Sequence, residues 1–115
     1  PLDSVNMLKQ AVNTDQVDIF HNGIKVYIVP KKLTKGAALL RLKKRLKAET
    51  IIAAGDSEFD ISMINSADFG LAPLALKGNK GIGKDVKFMQ GKKVFSEELL
   101  DYIKANILKT GNFYL

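Results

Sequence analysis

The stretch TIIAAGDSEFD, residues 50–60, constrains the fold of this chain more than any other. Its uninterrupted apolar run is typical of a strand that is covered on both faces. The run stops at Gly55, which we expect to form a tight turn, and Asp56 follows directly. Ligands of open α/β sheets bind beyond the carboxyl ends of the strands, so the sequence predicts a carboxylate at a ligand-binding position.

Helices and strands alternate along the chain from residue 33 onward. Thr34 is a predicted N-cap of a basic helix whose leucines recur at helical spacing. A second helix follows Ser57, which together with Asp60 resembles a capping box. We expect a last helix that is capped by Ser96 and stops at Gly111. Short strands are predicted in DFGLAP and VKFM. This alternation predicts an α/β fold with a parallel sheet and right-handed crossovers.

Residues 1–30 follow a different pattern. Residues 2–12 read as a short amphipathic helix, and an Asn-Gly pair between two β-rich runs predicts an antiparallel hairpin over residues 16–30. Pro30 ends its second strand. We therefore divide the chain into residues 1–32 and residues 33–115.

Composition narrows the class of protein. The chain has 115 residues, of which 46% are hydrophobic, so one ordered domain is expected. It has no cysteine, which excludes disulfides and thiolate metal sites, and it has no apolar run of the roughly 20 residues that a membrane span needs. A cytoplasmic protein is the default expectation. The net charge of +6 is concentrated in KKLTKG and RLKKRLK, where a solvated helix face explains it better than nucleic-acid binding does.

Asp56 and Asp60 lie one helical turn apart, so both carboxylates can face one pocket. Oxygen ligands at the end of a strand suit Mg²⁺, which takes few protein carboxylates and keeps several waters. Each acid also has a simpler explanation. Asp56 can be a helix cap, and Asp60 can be a first-turn acid that favours the helix dipole.

TKGAALLRL, followed about a dozen residues later by GDSEFDISMI, resembles the third and fourth motifs of the haloacid dehalogenase superfamily. The closest likeness is to its Cof-type phosphatases, which carry an α/β cap. The resemblance implies that Lys35 stabilises the phosphate and an aspartyl nucleophile, and that Asp56 binds Mg²⁺ directly. Ser57 and Asp60 would support the metal, through water or from a second layer of contacts.

The resemblance also implies an architecture. Residues 1–32 would be the helix and hairpin that end the cap, and residues 33–115 would be the C-terminal half of the Rossmann-like core. The family's first motif, an Asp-x-Asp pair that holds the nucleophile, does not occur in this sequence, and neither does its second-motif strand. The resemblance then implies that the chain is part of a Mg²⁺-dependent phosphatase of small phosphorylated metabolites such as sugar phosphates, and we expect it to be inactive alone.

Two further expectations concern partners and function. The chain should associate with the missing N-terminal part of the same protein or with a second copy, because half a core leaves edges and apolar faces open. The alternative function is a non-catalytic truncated relative or a basic binding module.

Residues 77–85 form a basic glycine-rich loop. Asn79 and Lys80 could contact substrate, and the backbone amides of the loop could cradle a phosphate. A solvated flexible turn is the reading that we favour for this composition. His21, in the predicted hairpin turn, is given no catalytic role.

Overall fold

The described part of the chain, residues 2–108 of a computed structural model, contains two separate sheets. Helix α1 (Leu2–Ala11) precedes the hairpin of β1 (Val17–Asn22) and β2 (Lys25–Pro30). A 3₁₀ turn (Lys31–Leu33) leads to α2 (Lys35–Leu46), β3 (Ile52–Ala54), a second 3₁₀ turn (Glu58–Asp60) and α3 (Ile61–Ser66). The chain continues through β4 (Phe69–Pro73), a third 3₁₀ turn (Leu74–Leu76), β5 (Lys87–Met89) and α4 (Phe95–Tyr102), which passes into a π turn over Ile103–Ile107.

Strands β3, β4 and β5 form a parallel sheet with β4 in the middle. Leu71 and Ala72 of β4 have no exposed surface, and Ile64 of α3 is 1% exposed. Ile64 and Ala72 form the centre of the core on one face of the sheet, with Val86 and Phe88 packed beside them. Leu71, the neighbour of Ala72 in β4, points to the other face. The predicted α/β fold with a parallel sheet is therefore confirmed, and the apolar run before Gly55 is its edge strand, β3.

Helices α2 and α3 approach each other very closely at Gly36. A Cβ atom at this position would lie 2.6 Å from the Ser62 carbonyl oxygen, and the Gly36 N–H donates to Ser62 Oγ at 2.9 Å. Thr34 is the N-cap of α2, as predicted, and its hydroxyl accepts from the Ala37 N–H at 3.3 Å. The first turn of α2 is thus pinned to α3, which determines where Lys35 lies.

The predicted hairpin is confirmed, but its turn differs from the expected one. Asn22 still pairs with Lys25, so the two-residue loop is Gly23–Ile24 rather than Asn-Gly. Of these residues only Gly23 has a positive φ, at 61°. Asn22 completes the ladder in extended backbone, and the left-handed position falls on the one residue without a Cβ.

The beginning of α4 also differs from the prediction. The helix begins at Phe95, so Ser96 lies inside it and does not cap it. Val94 occupies the N-cap position and offers no side-chain acceptor; instead Glu98 Oε1 accepts from the Lys93 N–H at 2.8 Å. The expected stop at Gly111 lies outside the described residues. Within residues 2–108, none of the helices combines the length and the apolar character that crossing a membrane requires.

The close helix contact gives a test of the fold. We expect Gly36→Ala to destabilise the chain by about 1–3 kcal/mol, because the new methyl group meets the backbone of Ser62, which cannot move aside. This range is the net change, after the gain in helix propensity of about 1 kcal/mol that replacing glycine with alanine brings. Urea unfolding followed by circular dichroism measures the change. Gly78→Ala is the control, since a Cβ there meets nothing within 4 Å; equal effects of the two substitutions would contradict the packing described.

Candidate functional site

Asp60 is the one buried charged side chain among the described residues, with 6% of its surface exposed. It ends the 3₁₀ turn that follows β3. A Cβ atom on Gly55 would lie 2.3 Å from the Asp60 Cβ, so only glycine fits beside this side chain. The φ of Gly55 is outside the left-handed region. The glycine is therefore needed for space rather than for a left-handed backbone conformation.

The Asp60 carboxylate accepts hydrogen bonds from four donors. Lys35 Nζ contacts Oδ1 as an ion pair. Oδ2 accepts from the Asp56 N–H at 3.0 Å, and from the N–H and the hydroxyl of Ser57, both at 3.1 Å. The bond from the Ser57 N–H is the return half of the capping box expected from the sequence. One carboxylate thus joins the start of α2 to the turn after β3.

Burial raises the pKa of the Asp60 carboxyl, but its hydrogen bonds outweigh that effect. The bonds from Lys35 and Ser57 and the charge of the ammonium all favour the carboxylate, so the pKa lies below its ordinary value. Asp60 is therefore ionised at neutral pH in spite of being buried.

Asp56 has a different environment from Asp60. Its side chain is exposed, and within residues 2–108 its carboxylate accepts no hydrogen bond and forms no ion pair. Only its backbone N–H takes part in the site, by donating a hydrogen bond to Asp60 Oδ2. The two acids that follow β3 are therefore unlike: one is saturated by protein donors and the other is open to a ligand.

Lys35 lies between the buried carboxylate of Asp60 and an apolar surface. Its side chain is 55% exposed, although its ammonium contacts Asp60. On its other side is a cavity of about 260 Å³ lined by apolar residues of α2 and α3, namely Ala38, Leu39, Leu42 and Met63. Lys35 and Asp60, both of which the resemblance assigns to the site, are thus in direct contact.

The residues around Asp56 fit a divalent cation only in part. Among the described residues no group of three or more His, Cys, Asp or Glu side chains is placed to hold a metal ion. Asp56 offers free carboxylate oxygens, and both oxygens of Asp60 are already occupied. Mg²⁺ is commonly held by one or two carboxylates together with waters and substrate phosphate, so one open carboxylate is a partial set of ligands for it.

The loop at residues 77–85 is held by two asparagines. Asn79 Oδ1 accepts from the Gly81 N–H at 2.8 Å, and Asn65 Oδ1 accepts from the Gly83 N–H at 2.7 Å. Asn65 Nδ2 also donates to the Gly81 carbonyl at 2.8 Å. Most residues of the loop are exposed, as the favoured reading of a solvated turn expects, and two asparagine side chains brace it. The phosphate cradle is disfavoured, because these amides already have acceptors.

The two candidate substrate contacts in this loop differ. The oxygen of the Asn79 amide is used within the loop. Lys80 is exposed and makes no hydrogen bond or ion pair with any part of the chain that the structure describes. Asn65 was missed because its partners lie 16 and 18 residues away, and no local pattern connects them.

The 3₁₀ turn that carries Asp60 also contacts the hairpin. The Phe59 ring lies 4.8 Å from the Phe20 ring and 5.0 Å from the Tyr27 ring, measured between centroids. The His21 N–H donates to Glu58 Oε2 at 3.4 Å. Sequence reasoning missed these contacts. The available signal was a large aromatic residue between two polar positions of GDSEFD.

The lowered pKa of Asp60 predicts a pH dependence of stability. A carboxyl whose pKa falls on folding stabilises the folded state above its ordinary pKa, and this stabilisation disappears as the pH drops through the lowered value. At pH 7 we expect Asp60→Asn to cost about 1–3 kcal/mol, because an amide cannot accept all four bonds. The cost should shrink below about pH 4, where the carboxyl of the unfolded chain begins to protonate, and should disappear as the pH falls through the lowered native pKa.

Urea unfolding at several pH values measures this difference. Asp56→Asn is the matched control, since it removes a neighbouring carboxylate that has no partner among residues 2–108, and it should change stability by less than about 0.5 kcal/mol. A cost of Asp60→Asn that does not vary with pH would show that its charge contributes nothing.

Comparison with known proteins identifies a family for this chain. The sequence model of haloacid dehalogenase-like hydrolases matches residues 4–73, from α1 to the end of β4. No curated protein and no solved structure matches the chain. The matched range covers more than half of the chain and includes both Lys35 and the GDSEFD turn. The chain therefore belongs to the haloacid dehalogenase-like hydrolase family.

Proposed function

We propose that this chain provides the phosphate- and metal-binding half of a Mg²⁺-dependent, Cof-type phosphatase acting on small phosphorylated metabolites such as sugar phosphates. The observation that carries the proposal is the pairing of Lys35 with Asp60 beside the open carboxylate of Asp56, at the carboxyl end of β3. The Lys35 ammonium and the backbone of Asp56 are both bound to the Asp60 carboxylate, which suits a phosphate together with its metal ion. Membership of a hydrolase family supports the same reaction class.

Lys35 would stabilise the phosphoryl group and the nucleophile. An ammonium has three N–H donors, and Asp60 is its carboxylate partner, so donors remain for phosphate oxygens on the exposed side. The ion pair with Asp60 holds the ammonium near the end of β3 before any substrate arrives. Such preorganised positive charge lowers the energy of charge that develops on the phosphoryl oxygens.

Asp56 would hold Mg²⁺ directly, and Ser57 and Asp60 would support it from behind. The hydrogen bonds of Asp60 to the amides of Asp56 and Ser57 fix the backbone from which the Asp56 carboxylate projects. Bound Mg²⁺ supplies positive charge that screens the phosphate during attack on phosphorus. Asp60 itself is better suited to positioning than to direct ligation, because both of its oxygens have donors already.

The aspartyl nucleophile would come from polypeptide outside residues 1–115, since this sequence contains no Asp-x-Asp pair. In the described sheet, β3 pairs with β4 alone, which leaves its other edge open next to Asp56. A strand added at that edge would end beside Lys35 and could present an attacking carboxylate there. In this proposal residues 1–32 end the cap, and the partner strand completes the core.

Metal binding tests the first part of the proposal. We expect Mg²⁺ to shift the NMR amide signals of Asp56 and Ser57 in the 115-residue chain, and Asp56→Asn to weaken that binding by at least about tenfold. Asp85→Asn is the control, because Asp85 is an exposed acid that precedes β5 and so lies at the opposite end of the sheet. If Asp85→Asn weakens binding as much, the binding is nonspecific and the assignment fails.

Turnover tests the second part. The 115-residue chain should not hydrolyse p-nitrophenyl phosphate with Mg²⁺, because it has no nucleophile. In the protein that includes the nucleophile, Lys35→Ala should lower kcat by about 10²–10³-fold, since preorganised charge is lost from the transition state. Lys44→Ala, on the same helix, should leave kcat unchanged. Metal-dependent turnover by the short chain would mean that the nucleophile lies within it. Binding of ligands that carry no phosphate group would favour the binding-module alternative.

A further inference from the structure

We propose that Phe59 is a positioning residue that ties the Asp60 turn to the hairpin, so that the placement of the hairpin determines how firmly Asp60 holds the amides of Asp56 and Ser57. The inference deepens the proposed function and, for its catalytic meaning, rests on it. The physical coupling itself concerns only residues of this chain.

On the hairpin, the pairing register of β1 and β2 brings two aromatic residues together. Phe20 of β1 and Tyr27 of β2 are directly opposed partners, so their side chains lie on the same face of the hairpin. The Phe59 ring packs on both, tilted by 36° to Phe20 and by 77° to Tyr27. Both centroid distances fall within the range of favourable aromatic pairs. The three rings form a small cluster between two sheets that share no strand.

The other side of the contact is the turn itself. Phe59 is the middle residue of the three-residue 3₁₀ turn Glu58–Asp60, so a shift of its backbone moves Asp60 as well. Asp60 Oδ2 is the acceptor for the N–H groups of both Asp56 and Ser57. Displacement of the Phe59 ring would therefore weaken the hydrogen bonds that the Asp56 and Ser57 N–H groups donate to Asp60. Asp56 is also the residue that carries the free carboxylate.

A second contact runs beside the rings but contributes less. The His21 N–H lies 3.4 Å from Glu58 Oε2, at the long end of the hydrogen-bond range, and both groups are near solvent. The aromatic cluster is thus the main connection between hairpin and turn. If residues 1–32 move as the end of a cap when substrate binds, Phe59 would carry that movement to the metal-binding acid.

Hydrogen–deuterium exchange of the metal-free 115-residue chain, followed by NMR, tests the coupling. Tyr27→Ala removes one ring from the hairpin without changing the turn, and it should accelerate exchange of the Asp56 and Ser57 amides by about tenfold. Tyr27→Phe keeps the ring and should restore the native exchange rates. Ile28→Ala is the matched control, because Ile28 is the next residue, points to the opposite face and is comparably exposed, at 47% against 38% for Tyr27.

Two further measurements separate positioning from general stability. The Phe69 N–H, which donates to the Ile51 carbonyl at 3.0 Å, reports on the parallel sheet and should exchange at the native rate in every variant. Phe59→Ala should accelerate exchange at least as much as Tyr27→Ala, because it also loses the contact with Phe20, and the double variant should be no faster than Phe59→Ala alone.

Some results would overturn the proposal. Equal acceleration of the Phe69 amide would make the cluster merely structural, and unchanged Asp56 and Ser57 amides in Tyr27→Ala would mean that the hairpin is not coupled to the turn. These outcomes are independent of Mg²⁺. A chain that shows the coupling but fails to bind Mg²⁺ would refute the proposed function and leave this inference intact.

Discussion

The burial of one carboxylate, that of Asp60, imposes the arrangement of its surroundings. A buried charge without partners costs several kcal/mol, so Asp60 requires donors from every side. Lys35 supplies the positive charge, and the backbone and hydroxyl of the preceding turn supply the other bonds. Those bonds also require Gly55, since any side chain there would overlap Asp60. The helix that begins at Lys35 must then lie tightly against α3, which in turn requires Gly36.

This arrangement divides two acids of the same short stretch into separate roles. Asp60 is consumed by internal contacts and acts as a scaffold, with its pKa held below the ordinary value in spite of burial. Asp56 projects from the backbone that Asp60 organises, and its carboxylate remains open. Under the proposed function, an open acid beside a fixed ammonium would be a useful combination, because a phosphate and its metal ion need both charges at one place.

The hairpin and the parallel sheet share no strand, yet the Asp60 turn contacts both. Its polar side faces the end of β3, and its aromatic residue faces Phe20 and Tyr27. The same three residues therefore complete the charged group and hold the hairpin against it. A turn with two such contacts transmits movement more readily than a loop that is anchored on one side only.

Much of this could be read from the sequence, because the signals are local. The apolar run before Gly55, the Thr34 cap and the leucine spacing of α2 depend on neighbours in the chain, and each predicted its element correctly. Other features depended on tertiary contacts. The reason for Gly55, the clamp of Asn65 on the 77–85 loop and the packing of Phe59 on Phe20 and Tyr27 join residues that sequence spacing does not relate. The sequence determined the secondary structure and placed two acids, Asp56 and Asp60, after a strand. Only the fold decided that Asp60 is buried against the Lys35 ammonium and that Asp56 is left open, because burial depends on which residues pack there from elsewhere in the chain.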